Sequence, residues 1–125
     1  MAYDNFNKLY VRGKYIDAKN IGDTIKLKIR NKQTLDYALF LDKYSECLYK
    51  LEEYDSALSS IKTALKIKKK ICGKNSVEYA NTLHHKAECL NHMENDKASS
   101  IEKKAFQIIK RNEKVNSSTH IELIL

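Results

Sequence analysis

Apolar residues recur along the chain at intervals of three and four positions, the spacing that places them on one face of an α-helix. In the segment 55–72 this stripe consists of Ala57, Leu58, Ile61, Ala64, Leu65 and then Lys68 or Ile71. A stripe of the same period precedes it and consists of Leu41, Tyr44, Ser45, Leu48 and Leu51. Two consecutive amphipathic helices are therefore predicted in this part of the chain.

Alternation typical of a strand occurs only in the segment 25–29, where Ile25 and Ile29 also share a helical face with Ala18 and Ile21. The chain has no Pro and only 3 Gly, which counts against folds that need many turns. We predict helices at 3–13, 16–32, 35–51, 55–72, 76–93, 96–113 and 119–125. The short connections between them make successive helices antiparallel neighbours.

The sequence pattern repeats with a period close to 42 residues. The matches, each with its interval, are Tyr37-Ala38 with Tyr79-Ala80 (42), Ala57 with Ala98 (41), and 15–18 with 54–57 (39). Repetition of a helix pair at a fixed period is typical of a solenoid. We therefore predict one all-α domain over 1–125, an α-solenoid of antiparallel helix pairs with units at approximately 3–33, 34–74 and 75–115. A capping or truncated helix follows at 116–125.

Helix boundaries are marked by short polar motifs. Asn75 and Glu78 have the spacing of a capping box, with Asn75 as the predicted N-cap. Gly73 lies just past a long predicted helix, where a left-handed residue is favoured. The segment 119–122 repeats the capping-box pattern and predicts the start of a last helix.

Three segments carry a resemblance to the tetratricopeptide repeat family. The segment 7–18, NKLYVRGKYIDA, and the segment 48–58, LYKLEEYDSAL, are similar to the family's Asn-x-Leu-aromatic-x-x-Gly-x-Tyr-x-x-Ala stretch. The segment 73–87, GKNSVEYANTLHHKA, resembles the kinesin-light-chain-like class, whose repeats of about 42 residues exceed the usual length of about 34. Gly22 and Glu102 depart from the family pattern, because they stand where large apolar residues are expected.

The resemblance implies a concave groove, lined by the first helix of each pair, that holds a peptide or a partner helix. Mapped onto this sequence, the family's groove positions are Asn7, Tyr10, Asp42, Glu46, Tyr49, Asn81, His84, Glu88 and Asn91, together with Tyr3 and Leu39. We accordingly predict a protein-interaction module without enzymatic activity or cofactor. The sequence shows no Gly-rich phosphate loop, nucleophile elbow or metalloprotease motif that would indicate catalysis.

Charge distinguishes the two faces of this predicted solenoid. The mapped groove positions include three carboxylates and no Lys, although the whole chain has a net charge of +7. Within the family, one branch holds acidic C-terminal tails with Lys and Asn, and only Asn7 matches that arrangement here. The hypothesis is therefore a groove that prefers a basic or neutral segment containing aromatic residues and disfavours an acidic tail. The alternative is that these carboxylates are ordinary solvated helix residues.

Lysines on the second helices support an alternative function. Lys62, Lys66 and Lys69 or Lys70 form a stripe that could contact nucleic acid or an anionic membrane. No aromatic residue interleaves with this stripe to stack on bases, which disfavours nucleic acid as the partner. We keep a basic adaptor as the alternative to groove binding.

A metal site is a third alternative. His85, Cys89 and His92 lie at i, i+4 and i+7 and could offer three ligands from one helix face. Cys89, however, recurs as Cys47 at the repeat period, and packing explains a repeated small residue better than metal ligation does. Metal binding is therefore not the favoured interpretation of this cluster.

The cysteines and the C-terminal segment add two expectations. Three cysteines cannot pair completely, which favours a reducing, cytoplasmic setting, and no apolar run is long enough to predict a transmembrane segment. Ile121, Ile124 and Leu125 could cover the apolar side of the preceding helix but present no polar outer face. We expect this incomplete cap to promote self-association.

Overall fold

The computed structural model describes residues 3–124 of the chain, and the side chains of residues 3–114. These residues form six helices, namely α1 (Asp4–Val11), α2 (Tyr15–Lys28), α3 (Leu35–Lys50), α4 (Tyr54–Cys72), α5 (Val77–His92) and α6 (Lys97–Ile124). No strand occurs among the described residues. The all-α solenoid of helix pairs that the periodicity predicts is confirmed.

The segment 25–29 is helical up to Lys28, as the shared face of its isoleucines predicts. Ile29 then turns to an extended conformation, so α2 ends four residues before the predicted boundary at 32. Helix α3 begins after Thr34, whose hydroxyl accepts the backbone N–H of Tyr37 at 3.1 Å. The side-chain cap fixes the start of α3 at the predicted position.

Helix α5 is capped by Ser76, so the prediction of Asn75 as the N-cap is wrong by one residue. The Ser76 hydroxyl accepts the backbone N–H of Tyr79 at 3.1 Å and donates to the carbonyl of Gly73 at 2.7 Å. Gly73 itself has a φ of +90°, which confirms the predicted positive φ at the end of α4. These contacts make a compact turn between α4 and α5.

The turn within each helix pair contains one residue with positive φ. These residues are Gly13 (72°), Glu52 (64°) and Glu94 (56°). They are equivalent by the intervals of 39 and 42 that relate the repeated segments, so each helix pair reverses direction at the same place. Glycine occupies this position in one pair, and a glutamate adopts the same conformation in the other two.

Helix α6 continues without a break from Lys97 to Ile124. The prediction of a separate helix at 119–125 is therefore wrong, as is the helix end predicted at 113. The physical reason is that the segment 97–124 contains neither Gly nor Pro, so nothing in its backbone stops the helix. The predicted contacts of Ile121, Ile124 and Leu125 lie outside the residues whose side chains are described, and self-association through them stays a prediction.

Helix α3 is the centre of the main core. Its buried residues are Tyr37, Ala38, Phe40, Leu41, Asp42, Tyr44, Ser45, Cys47, Leu48 and Tyr49. Phe40 contacts the ring of Phe6 on α1, with centroids 4.9 Å apart, and the ring of Tyr44, with centroids 5.5 Å apart. Helix α2 packs on the same helix through Gly22, where an added Cβ would lie 2.5 Å from the Tyr44 ring. Glycine at this departure from the family pattern therefore makes room for an aromatic ring.

The remaining helices extend this core along the molecule. Helix α5 packs against both α3 and α4, and α6 packs against α5. A second, smaller core between α5 and α6 consists of Ala80, Leu83, Ala105 and Ile108. Within the described part of the chain, the helices lack the combination of length and apolar character needed to cross a bilayer.

Candidate functional site

Side chains of α1 and α3 meet at the first pair of predicted groove residues. The hydroxyl of Tyr10 donates to Glu46 Oε1 at 2.8 Å. Beside it, Lys43 Nζ donates to Asn7 Oδ1 at 3.2 Å and lies 5.9 Å from the centroid of the Tyr10 ring. Burial, together with the hydrogen bond to Glu46, raises the pKa of Tyr10. Its hydroxyl therefore stays protonated and holds the Glu46 carboxylate in a fixed orientation.

A second set of contacts joins α3, α5 and α6. The hydroxyl of Tyr49, which is fully buried, donates to Glu88 Oε2 at 2.5 Å. The other oxygen of Glu88, Oε1, lies 2.9 Å from His84 Nε2, and the opposite ring nitrogen of His84 lies 2.8 Å from Glu102 Oε1 on α6. Leaving out Asn7 and Lys43, we call the other six residues of these two sets the polar row, namely Tyr10, Glu46, Tyr49, Glu88, His84 and Glu102.

Opposite charges are favoured within the polar row. Burial alone would lower the pKa of His84, but the carboxylates of Glu102 and Glu88 outweigh it, so the pKa is raised. Burial alone would raise the pKa of Glu88, but the Tyr49 hydroxyl and the neighbouring histidines outweigh it, so the pKa is lowered. The environment thus favours an imidazolium whose two N–H groups face two carboxylates.

Asp42, a predicted groove residue one helical turn before Glu46, makes a separate set of contacts. It is 5% exposed, and its Oδ2 accepts a hydrogen bond from Lys68 Nζ at 2.5 Å, while Oδ1 accepts one from Thr82 at 2.7 Å. Lys68 is fully buried and also donates to the carbonyl of Glu78 at 3.0 Å. The Asp42 carboxylate is therefore engaged in a buried ion pair that joins α3, α4 and α5. The sequence contained one indication of this pair, because Lys68 stands on the otherwise apolar stripe of α4.

The other predicted groove residues lie on the first helices but differ in exposure. Asn7 is half-buried against Lys43, whereas Asn81 and Asn91 are exposed on α5. A cleft of about 390 Å³ opens between α5 and α6, and it is lined by His84, Ala87, Glu88, Asn91, Ala98, Ser99 and Glu102. Sequence reasoning missed Glu102 as a functional residue, although its departure from the family pattern marked the position.

The predicted ligand set of His85, Cys89 and His92 is not brought together. Cys89 is fully buried, and burial raises the pKa of its thiol to about 11. His92 is exposed and its ring packs on Tyr49, with centroids 5.1 Å apart. His85 instead lies near two carboxylates of α3 and α5, since ligand atoms of Glu46, His85 and Glu88 all lie within 4.8 Å of one another.

A basic patch lies on the outer side of α6. It consists of Lys103, Phe106, Gln107, Lys110, Arg111, Glu113 and Lys114. Phe106 is 58% exposed, and Lys110 Nζ lies 5.5 Å from the centroid of its ring. An aromatic residue therefore does stand among basic residues on this helix, unlike on the α4 stripe.

Comparison with known families is consistent with this architecture. A family model described as "Tetratricopeptide repeat" matches residues 36–111, which is more than half of the chain. The matched region begins at the first turn of α3 and extends into α6. A search of curated proteins finds no match to the chain.

Proposed function

Because the chain belongs to the tetratricopeptide repeat family, whose repeats generally mediate protein–protein interaction, we propose that it binds a peptide or helix of a partner protein on the face that carries the polar row. The role is non-enzymatic. We further propose a cytoplasmic, reducing setting, in which Cys47, Cys72 and Cys89 would remain free thiols.

The observation that carries this proposal is the open cleft between α5 and α6. One pair earlier, α5 packs against both α3 and α4 and covers Asp42. His84 stands 42 positions after Asp42 and is the equivalent residue, yet no described helix covers it. The cleft beside it therefore offers a site for a partner segment at the place where the repeat geometry would seat another helix.

Charge defines the kind of segment that this face accepts. Glu46, Glu88 and Glu102 contribute carboxylates to the polar row, and His84 compensates part of this charge. A basic or neutral partner segment gains favourable contacts with these groups, whereas an acidic tail is repelled. Tyr10 supplies a partly exposed ring at the α1 end, which favours an aromatic residue in the partner.

Selection from a displayed library of random peptides tests the proposal. We expect the wild-type protein to enrich basic peptides that contain aromatic residues. The triple variant Glu46→Gln/Glu88→Gln/Glu102→Gln removes the charge, and we expect it to bind a selected peptide at least tenfold more weakly. Glu113→Gln, on the outer side of α6, is the control and should bind as the wild type does. Enrichment of acidic peptides, or equal binding by the triple variant, would contradict the proposal.

The basic patch of α6 supports the second candidate, a basic adaptor for nucleic acid or an anionic membrane. Its exposed Phe106 beside Lys110 provides the aromatic and basic combination that stacks on bases. For this function, binding of a fluorescent single-stranded RNA should fall steeply with salt and be lost in Phe106→Ala/Lys110→Gln. RNA binding that is unaffected by both salt and the double substitution would contradict this second candidate.

A further inference from the structure

We propose that Glu46, His85 and Glu88 bind a divalent transition-metal ion, with Zn²⁺ as its representative. The three residues come from two helices, since Glu46 lies on α3 and the other two lie one turn apart on α5. One ligand atom of each lies within 4.8 Å of the others. Atoms that bind one ion at bond lengths of about 2.0–2.2 Å lie at most about 4.4 Å apart, so small side-chain rotations would bring the three groups onto a single ion.

The state of His85 points to a missing ligand. Its Nδ1 atom is buried and has no hydrogen-bond partner among the described residues. A buried polar atom normally has a partner, because leaving it unsatisfied is destabilising. Imidazole nitrogen is also a preferred ligand of zinc and its neighbours in the transition series. A metal ion bound through Nδ1 would satisfy this atom.

The two carboxylates are already oriented. Tyr10 donates to Glu46 and Tyr49 donates to Glu88, so a tyrosine hydroxyl holds each proposed ligand. Hydrogen bonds of this kind are typical of residues that orient metal ligands from outside the coordination sphere. Each carboxylate oxygen has more than one lone pair, so these hydrogen bonds leave acceptor capacity for an ion.

Electrostatics also favour a cation at this place. Glu46 and Glu88 bring two carboxylates close together, and their mutual repulsion is relieved when a divalent ion lies between them. His84 is a competing cation, since its Nε2 lies 2.9 Å from Glu88 Oε1. Two oxygens and one nitrogen satisfy three positions of a tetrahedral ion and leave the fourth for water or another donor.

Titration of the metal-free protein with zinc chloride tests the proposal. The protein carries no histidine tag, is stripped with a chelator, and is followed by isothermal calorimetry. We expect one zinc ion per chain and a rise in the melting temperature when zinc is present. Because no peptide is involved, this experiment can fail independently of the proposed groove function.

Matched histidine variants locate the site. We expect His85→Gln to weaken zinc binding by about a hundredfold or more, whereas His92→Gln on the same helix should bind as the wild type does. His84→Gln should bind equally well or more tightly, because it removes the competing cation. Absence of zinc binding, or an equal loss in His92→Gln or His84→Gln, would overturn the proposal. Circular dichroism of each variant confirms that its helices are intact.

Two further measurements identify the ligands. Tyr10→Phe keeps the ring but removes the hydroxyl that orients Glu46, and we expect about a tenfold loss of zinc affinity with an unchanged melting temperature of the metal-free protein. Cobalt substituted for zinc should show no sulfur-to-metal charge-transfer absorption, since the proposed donors are nitrogen and oxygen. Such absorption would show that a cysteine binds the ion and would contradict the proposal.

Discussion

At the scale of single residues, the ion pair of Asp42 and Lys68 carries the largest electrostatic consequence. Both side chains are buried, and each makes one further hydrogen bond, Asp42 with Thr82 and Lys68 with the Glu78 carbonyl. A buried pair is strongly destabilising to break, because removal of one partner leaves the other charge uncompensated. The pair therefore ties three helices together only while both members are present.

Replacement of one partner should be far worse than replacement of both. We expect Lys68→Met to lower the free energy of unfolding by about 3–5 kcal/mol, because it leaves the Asp42 carboxylate buried without its cation. The double variant Asp42→Leu/Lys68→Met should lose less than the sum of the two single variants. Urea denaturation of the four proteins in a double-mutant cycle measures this coupling, and additive losses would contradict it.

Residues with positive φ allow a change that stabilises the protein. Glu52 adopts a φ of 64° at the position where Gly13 stands in the first helix pair. A left-handed conformation costs a non-glycine residue roughly 1–2 kcal/mol. Glycine avoids this cost, but the greater conformational entropy that it gives the unfolded chain offsets part of the gain. We expect Glu52→Gly to raise the free energy of unfolding by about 0.5–1 kcal/mol. Lys66→Gly, exposed in the middle of α4, is the control and should lower it by about 1 kcal/mol.

The residue scale is also where sequence reasoning reached least far. Asp42 and His84 occupy equivalent repeat positions, so the family resemblance assigned both to the groove. One is covered by the next helix and paired with Lys68, and the other pairs with Glu102 beside an open cleft. The difference depends on which helix packs over each position, and a repeat pattern does not contain that information. The environment of each position also depends on its partner on a second helix, which is Lys68 for Asp42 and Glu102 for His84.

At the scale of elements, hydrophobic periodicity predicted the order of the helices, and local chemistry set their ends. The stripe centred on Leu41 and Leu48 corresponds to α3, whose apolar face forms the main core. The capping pattern at 119–122 failed because the same residue types are tolerated inside a helix that nothing interrupts. A capping motif therefore predicts a helix start only where the preceding helix has already ended, at a Gly, a Pro or a residue whose backbone conformation is not helical.

The packing of α2 on α3 should be sensitive to one methyl group. Alanine is favoured over glycine inside a helix by about 1 kcal/mol, yet a Cβ at Gly22 would lie 2.5 Å from Cδ1 of Tyr44. We expect Gly22→Ala to lower the free energy of unfolding by about 1–3 kcal/mol, because the helices must separate or the ring must move. Ser59→Ala, exposed on α4, is the control in the same denaturation experiment and should change stability little.

At the scale of the whole molecule, stability is distributed unevenly. The main core runs from Phe6 on α1 to Cys89 on α5 and is densest around α3, whereas the core between α5 and α6 is small. Elements with few buried contacts open more easily than those in the centre. Helix α6, in which Ala105 and Ile108 are the buried residues among the described side chains, therefore belongs to the less protected end of the structure.

Hydrogen exchange should reveal this gradient. We expect the backbone amides of α3 to exchange only through global unfolding, because ten residues of this helix are buried. The amides of α6 should exchange faster, through local opening that leaves α3 protected. Mass spectrometry of exchanged peptides measures both rates, and equal protection of α3 and α6 would show instead that the solenoid opens as one unit.

The complete burial of Lys68 sets this lysine apart from the exposed lysines of α4, such as Lys62 and Lys66. Its amine is enclosed by Asp42 and the backbone of α5, so an acetyltransferase or a ubiquitin ligase cannot reach it in the folded protein. Acetylation there would also remove the charge that Asp42 requires. A modified Lys68 found in cells would therefore identify molecules that were unfolded when the enzyme met them.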